Sequence, residues 1–252
     1  MKGYIFFITC LYLPFLHAQD TICLPLNGAD IQLLVFGSDS SDILLYNMHD
    51  NENTSALAGR VISQHYMGQY YELMHTGERN ISFLFGEDSI HIDPNRIYTD
   101  TGVWLQLAKN KITDTLAYRL VASWRDSLLH ILDIKDRALV IALHNNTQDN
   151  YSFMSYMPGE EYEKEAFALY KGCTPDYDDF FFVTDQDILH TLSIGQYNTV
   201  LQANETMTDD GSLSVYCAQL GIPYVNVEAQ YGHIWRQMYM LIFALQKLTL
   251  KE

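Results

Sequence analysis

Apolar runs typical of buried strands alternate along this chain with segments whose apolar residues recur at helical spacing. The runs IQLLVFG and DILLYNMH predict two strands, and the segment NTSALAGRVISQHYMG behind them predicts a helix. Further on, TDTLAYRLVASWRDSLLHILDI has the spacing of a long helix, and RALVIALH is apolar without interruption, as in a strand buried on both faces. The short pieces YYELMHTG, NISFLFG and SIHID alternate with a period of two and predict hairpins.

The second half of the chain continues the same alternation. DDFFFVTD and NTVLQAN predict strands, each followed by a helical segment, and the last strand, IPYVNVEAQ, precedes the closing helix GHIWRQMYMLIFALQKLTL. Alternation of this kind predicts an α/β fold with a mostly parallel sheet and helices on both of its faces. In such sheets ligands bind at the carboxyl ends of the strands, so polar residues directly after a strand are the first candidates for a site.

The chain begins with a segment that resembles a secretory signal. Lys2 supplies a charged start, the run YIFFITCLYLPFL is apolar, and LHA offers a small residue at the cleavage point. We therefore expect residues 1–18 to be a signal peptide, residues 19–252 to form a single domain, and the mature protein to be secreted or periplasmic. The apolar run is short for a membrane span and contains Pro14, and no other segment is apolar enough to cross a bilayer.

Composition narrows the range of partners and of metal sites. The 252 residues have a formal net charge of −16, which argues against nucleic acid as a partner because phosphate binding needs clustered Lys and Arg. Cleavage after Ala18 removes Cys10 and leaves Cys23, Cys173 and Cys217, an odd number that allows at most one disulfide. No C-x-x-C pair occurs, so neither a cysteine zinc site nor thioredoxin-like chemistry is expected.

Three reactive residues lie at the ends of predicted strands. His49 ends DILLYNMH, His144 ends ALVIALH, and Glu228 ends PYVNVE. Glu52 lies one turn beyond His49, so the two side chains converge if the turn is tight. Two imidazoles and a carboxylate are a usual ligand set of catalytic zinc, which predicts a Zn²⁺ site at His49, Glu52 and His144. Glu228 is then placed to act as the general base that takes a proton from the attacking water.

Two further histidines need separate interpretations. His75 and Glu78, in ELMHTGERN, have the same spacing as His49 and Glu52. This second pair falls between two short predicted strands, and no helical segment follows it, so we interpret it as a loop. His233, in EAQYGHI, could position Glu228 or line the pocket, but a surface or core-edge histidine with neither role is the interpretation that we favour.

The stretch HIDPNRIYTDTG contains an adjacent amide and guanidinium. Asn95 and Arg96 follow a strand-like piece, and Pro94 fixes the turn before them. Such a pair can bind a carboxylate through a bidentate fork and an amide donor. A surface turn with an exposed arginine is the alternative interpretation, and the residues of this stretch alone favour it.

Four of these stretches, in order, resemble the zinc carboxypeptidase and aspartoacylase/succinylglutamate desuccinylase superfamily. HDNE resembles the first zinc motif, H-x-N-E, and DPNR resembles the D-x-N-R substrate motif. IALHNN resembles the strand that ends in the third zinc ligand, and GIPYVNVE is similar to the strand that ends in the catalytic glutamate. Each motif is short, but the four occur in the family's order and strand context over roughly residues 40 to 235.

The resemblance implies a three-layer α/β sandwich with a mixed, mostly parallel central sheet flanked by helices, and therefore a single zinc-hydrolase domain. It also implies zinc ligands, a general base and groups that hold the substrate's free carboxylate: His49, Glu52 and His144 as ligands, Glu228 as the base, and Asn95 with Arg96 for the carboxylate. The family uses an arginine upstream of the Asn-Arg pair to stabilise the oxyanion, and Arg79, in GERN, is the match.

Two departures from the family's pattern bear on the substrate more than on the metal. Asp50 stands in HDNE where the deacylases usually have glycine, which suggests a crowded or acidic metal site. Among the 18 tyrosines, none is a convincing counterpart of the tyrosine that closes over substrate in the carboxypeptidases.

The expected activity is exported, zinc-dependent hydrolysis of an amide bond next to a free carboxylate, in peptides that include cell-wall peptides. The alternative substrate is a small N-acyl amino acid, as in the deacylase branch that the short gaps between the motifs resemble. A binding protein on the same fold that has lost turnover is a third possibility. The complete set of ligands and base favours an enzyme over that third possibility.

Overall fold

The computed structural model describes residues 20–37, 41–66, 68–148 and 150–249. The predicted signal peptide, residues 1–18, lies outside the described residues. The strands are β1 (Asp20–Cys23), β2 (Gln32–Gly37), β3 (Ile43–Asn47), β4 (Gln69–Met74), β5 (Ile81–Phe85), β6 (Asp88–Ile92), β7 (Leu139–Asn146), β8 (Ala166–Tyr170), β9 (Phe180–Val183), β10 (Asn198–Gln202) and β11 (Tyr224–Gln230). The helices are α1 (Asn53–His65), α2 (Asp100–Lys109), α3 (Thr115–Leu132), α4 (Gln186–Ser193), α5 (Leu213–Leu220) and α6 (Ile234–Thr249).

Nine of the described strands form one mixed sheet in the order β1-β2-β4-β3-β7-β11-β9-β10-β8. The four strands at its centre, β4, β3, β7 and β11, are parallel to one another. Antiparallel pairs join β1 to β2, β2 to β4, β11 to β9 and β10 to β8. The predicted mixed sheet with a mostly parallel centre is therefore confirmed.

One local prediction of the strand pattern is wrong. The piece YYELM, which we expected in a hairpin, forms β4 of the central sheet and pairs parallel with β3. Of the three pieces, only NISFLFG and SIHID pair with each other, as β5 and β6, in a hairpin that stands apart from the large sheet. A period of two marks a strand with two unlike faces, but it does not say which partner the strand takes.

Helices cover both faces of the sheet and produce the predicted three layers. Along β7, Val140 and Ala142 belong to the apolar cluster shared with α2, α3 and α5, whereas Ile141 and Leu143 belong to the cluster shared with α1, α4 and α6. The unbroken apolar run of this strand thus reflects burial on both faces. The central strands hold the residues at their carboxyl ends in fixed register, and those ends share one edge of the sheet.

The described part of the chain contains no helix that is long and apolar enough to span a membrane. Its three cysteines are free thiols: Cys23 and Cys173 are exposed, and Cys217 is buried. Helix α2 and the edge strands β1 and β8 were not predicted from the apolar pattern. Thr99 begins α2, where its hydroxyl accepts a hydrogen bond from the backbone N–H of Gly102, as a helix N-cap does.

Candidate metal centre

The carboxyl ends of β3, β7 and β11 bring the predicted reactive residues to one point. His49 lies two residues beyond the end of β3, and His144 lies near the end of β7. Glu228, on β11, is directly opposite His144 in the parallel register of these two neighbouring strands. The three residues selected for their place at strand ends are therefore neighbours in space.

The side chains of His49, Glu52 and His144 converge and are all buried. Nδ1 of His49 lies 2.7 Å from Oε1 of Glu52 and 3.1 Å from Nδ1 of His144. Nδ1 of His144 lies 3.0 Å from the second oxygen of Glu52. The tight turn expected between His49 and Glu52 is present, because the Glu52 N–H donates to the carbonyl oxygen of His49 over 3.1 Å.

Two residues without a predicted role hold this trio in place. Asp93, the first residue of DPNR, lies with Oδ1 2.9 Å from Nε2 of His49. Asn145, which follows His144, donates its backbone N–H to Glu52 over 3.1 Å and accepts the N–H of Thr54 and Ser55 at the start of α1 on its side-chain oxygen. Both lie within the quoted motifs, so position in the motif was the signal that could have identified them.

Burial and neighbouring charges shift the pKa values of all three residues of the trio. Burial favours the neutral form of His49, but the nearby carboxylates of Glu52 and Asp93 outweigh it and raise the pKa of this ring. Burial lowers the pKa of the His144 ring. Although burial opposes ionisation of Glu52, the two rings hold the pKa of its carboxyl well below the usual range, so this group is an anion at neutral pH.

A zinc ion fits these residues. Two imidazoles and one carboxylate are a ligand set of catalytic zinc, and the candidate ligand atoms of His49, Glu52 and His144 all lie within 4.8 Å of one another. Asp93 is placed to accept a hydrogen bond from Nε2 of His49, and Nδ1, which faces Glu52 and His144, would then be the nitrogen available to a metal. Metal ligation by the trio, predicted from the sequence, remains a prediction that this geometry favours.

Glu228 is buried beside the trio and is held by one amide. Nδ2 of Asn226, two residues earlier on β11, donates to Oε1 of Glu228 over 3.1 Å. Burial, together with the nearby negative charge of Glu52, raises the pKa of Glu228 to about 8. A carboxyl whose pKa lies near neutrality is suited to accept and return a proton in catalysis.

Arg79 approaches the same centre from the loop between β4 and β5. One guanidinium nitrogen lies 2.8 Å from Oε1 of Glu52, and the other lies 3.4 Å from Oδ2 of Asp93. The side chain of Arg79 is 47% exposed, so it lies on the open side of the metal centre. Its predicted match to the oxyanion-stabilising arginine is consistent with this position.

Asn95 and Arg96 lie on a short 3-10 turn that packs against the loop before α5. The side-chain oxygen of Asn95 accepts the Leu213 N–H over 3.1 Å, and Nε of Arg96 lies 3.3 Å from Oδ2 of Asp210. Although burial opposes its charge, Asp210 raises the pKa of Arg96. Gly211 allows this loop to pack closely against the 3-10 turn, because a Cβ at that position would lie 2.4 Å from the carbonyl oxygen of Arg96.

Two tyrosines connect the surroundings of Arg96 with those of Glu228. The hydroxyls of Tyr151 and Tyr156 hydrogen-bond to each other, and both side chains interact electrostatically with Arg96 and with Glu228. Arg96 therefore faces the same region as the candidate base and does not belong to an isolated surface turn. Nothing in the sequence distinguished these two from the other tyrosines.

The remaining candidates lie apart from the trio. His75 and Glu78 belong to the loop at residues 75–80, as expected. His233 faces two carboxylates, with Nδ1 3.5 Å from Asp179 and 3.7 Å from Asp176, in a second group that could hold a metal. The guanidinium of Arg236 already lies 3.4 Å from Asp179, so we assign no metal to this group.

Comparisons with known proteins show similarity in structure but not in sequence. No family model matches the sequence, and no curated protein matches it. The product-bound cell shape determinant Csd4 of Helicobacter pylori superposes with a TM-score of 0.50 at 10% identity, over 88% of this chain and 56% of Csd4. Bovine thrombin-activatable fibrinolysis inhibitor, solved in complex with tick carboxypeptidase inhibitor, gives 0.50 at 12% identity, over 91% of this chain and 88% of that chain.

The chain has a carboxypeptidase-like fold. The murein-tripeptide amidase MpaA of Escherichia coli O157 is also similar, with a TM-score of 0.44 at 11% identity and coverage of 92% of both chains. The chain spans about half the length of Csd4. The superpositions on Csd4 and on thrombin-activatable fibrinolysis inhibitor confirm the resemblance inferred from the four motifs at the level of the fold, whereas activity depends on the site that a fold carries.

Proposed function

We propose that this protein is a zinc-dependent hydrolase that cleaves an amide bond next to a free carboxylate, in peptides. The observation that supports this most is the convergence of His49, Glu52 and His144, with Glu228 facing His144 across two parallel strands. The carboxypeptidase-like fold is consistent with this chemistry, but residues at the site are the basis of the proposal.

In this proposal the trio holds zinc and Glu228 moves the proton. Zinc held there would supply Lewis-acid chemistry, lowering the pKa of water and polarising a carbonyl. Glu228 takes the proton from the attacking water and returns it to the leaving amine. Both steps need its carboxyl close to the candidate ligands, and β11 places it directly opposite His144.

The two arginines have different tasks. Arg79, close to Glu52 and on the open side of the centre, stabilises the negative charge that develops on the carbonyl oxygen. Loss of such a donor typically costs about 3 kcal/mol of transition-state stabilisation. Arg96, with Asn95, holds the free carboxylate of the substrate, which makes attack on the neighbouring amide effectively intramolecular.

The compartment and the kind of peptide are part of the proposal. Export rests on the sequence of residues 1–18, which has the charged start and apolar run of a signal peptide. In a periplasm, cell-wall peptides are the natural amides with free carboxylates. The description of Csd4, which has the same fold, as a cell shape determinant is compatible with that substrate class.

Turnover of a panel of amides by the purified mature chain tests the function. The panel contains murein peptides, ordinary peptides and N-acyl amino acids, each with a free carboxylate and as its carboxamide, with and without a zinc chelator. We expect chelator-sensitive cleavage of peptides that requires the carboxylate. Preference for N-acyl amino acids would assign the chain to deacylation, and binding without cleavage of any compound would identify a non-catalytic protein.

A further inference from the structure

Asp50, which occupies the variable position of HDNE between two candidate zinc ligands, does not join the ligand set. Its carboxylate is buried, and Oδ2 accepts two backbone hydrogen bonds, from His75 over 2.7 Å and from Gly77 over 2.6 Å. The expected crowding of the metal site is thus not what this side chain does. A carboxylate oxygen that accepts two N–H groups forms charge-assisted bonds, which are about twice as strong as neutral ones.

These two hydrogen bonds, which we call the Asp50 clamp, fix the loop at residues 75–80. The loop joins β4 to β5 and contains neither helix nor strand. Gly77 has a φ of +77°, a conformation that side-chain-bearing residues rarely adopt, so the bend presents its N–H to Asp50 without strain. The clamp joins this loop directly to the turn between His49 and Glu52.

Arg79 lies two residues beyond Gly77 on the same loop. Its half-exposed side chain contacts the buried carboxylate of Glu52 and the largely buried carboxylate of Asp93 through charged atoms. These contacts hold the end of a long side chain and not the backbone that carries it. The backbone from which the guanidinium extends therefore depends on the clamp for its position. A shift of about 1 Å in a group that stabilises a transition state is enough to slow a reaction about a hundredfold.

We propose that Asp50 is a positioning residue that holds the Arg79 loop against the metal turn, so that the guanidinium faces the reacting carbonyl. This role rests on the proposed function. It explains an aspartate where the deacylases usually have glycine, since glycine has no side chain with which to accept the two N–H groups.

The clamp is tested first without any substrate, by hydrogen exchange of the backbone amides in metal-free protein. We expect Asp50→Ala to lose protection at His75 and Gly77 by tenfold or more, and Asp50→Asn, which keeps an oxygen acceptor, to retain most of it. Asp185→Ala is the matched control, because Asp185 also accepts two backbone N–H groups, from Asp187 and Ile188 at the start of α4. Protection unchanged in Asp50→Ala would overturn the clamp.

The link to Arg79 is tested by a double-mutant cycle on turnover. We expect Asp50→Ala to lower kcat tenfold to a hundredfold with KM changed less than threefold and zinc content unchanged. Asp50→Asn should recover to within about threefold of wild type, and Asp50→Ala should slow an Arg79→Ala background no further.

Three results would contradict this role. Loss of zinc in Asp50→Ala would place Asp50 at the metal instead, and additive losses in the double variant would separate it from Arg79. Turnover at the wild-type rate in Asp50→Ala would overturn the role of Asp50 and leave the proposed function unaffected. A wild-type chain that cleaves no amide would overturn the proposed function and, with it, this role of Asp50.

Discussion

Asp93 lies behind His49, with its carboxylate oxygen 2.9 Å from Nε2, while Nδ1 of the same ring faces Glu52 and His144. The ring thus turns one nitrogen to the carboxylate of Asp93 and the other to the two remaining candidate ligands, an arrangement that would fix its tautomer and its orientation in a metal site. The carboxylate belongs to DPNR and the ring to HDNE, so residues of two separate motifs build one candidate ligand.

Removing that carboxylate should weaken metal binding without removing a ligand. We expect Asp93→Ala to lower zinc affinity 10- to 100-fold, because the ring of His49 loses the partner that orients it. Competition with a chromophoric chelator measures the affinity. Asp88→Ala, at an exposed aspartate on the same hairpin, is the control, and equal affinity in the two variants would contradict a supporting role for Asp93.

His144→Ala should remove most of the bound zinc. The ring contributes one of three candidate ligands, and two protein ligands rarely make a stable zinc site. Elemental analysis of the purified variant measures the metal content, and His130→Ala, at an exposed histidine on α3, provides the comparison. Wild-type zinc stoichiometry in His144→Ala would exclude this residue from the ligand set.

Much of this site could be predicted because parallel strands place their carboxyl ends together. Burial of β3 and β7 on both faces is visible as unbroken apolar runs, so His49 and His144 could be recognised at strand ends. Glu228 also ends a predicted strand, so it was expected at the same edge of the sheet. For these residues the local pattern and the topology determine position.

The parts that escaped prediction depend on contacts between distant segments. The two N–H groups that Asp50 accepts lie 25 and 27 residues away, and Asn145 caps a helix that begins about 90 residues before it. Tyr151 and Tyr156 resemble the other tyrosines in sequence, and only packing places them near Arg96 and Glu228. The residues of β4 correctly predicted a strand, but they do not specify the strand with which it pairs.

The raised pKa of Glu228 predicts a stability that falls with pH in chelator-treated protein. The folded chain keeps a proton on this carboxyl up to about pH 8. In the unfolded chain the glutamate has the ordinary pKa of 4.5 and loses its proton at a lower pH. The folded state therefore binds more protons between these values, and its stability decreases as pH rises through that window.

Glu228→Gln removes this dependence, so the variant should gain free energy of unfolding relative to wild type as pH increases from 5 to 8. The gain should reach a few kcal/mol, because each pKa unit corresponds to about 1.4 kcal/mol. Urea unfolding of both proteins at a series of pH values measures it. A difference in stability that stays constant over this range would contradict the raised pKa.

Asp210 forms an ion pair with the guanidinium of Arg96. This ion pair should weaken the binding of a substrate carboxylate by Arg96. We expect Asp210→Asn to lower KM up to about fivefold for substrates with a free carboxylate, since a partly exposed ion pair is worth at most about 1 kcal/mol. The asparagine retains an oxygen that can accept the Ser212 N–H, as Asp210 does. Carboxamide analogues of the same substrates are the control, and an equal change in both series would contradict carboxylate binding at Arg96.

The most direct test of the proposed hydrolase is the comparison of zinc content and turnover in Glu228→Gln. Glu228 lies beside the candidate ligands but is not one of them, and glutamine preserves its size and its hydrogen bond to Asn226. We predict wild-type zinc stoichiometry with amide hydrolysis reduced 10²- to 10⁴-fold, the usual contribution of a general base. Hydrolysis at the wild-type rate by the zinc-loaded variant would contradict the assignment of Glu228 and the mechanism built on it.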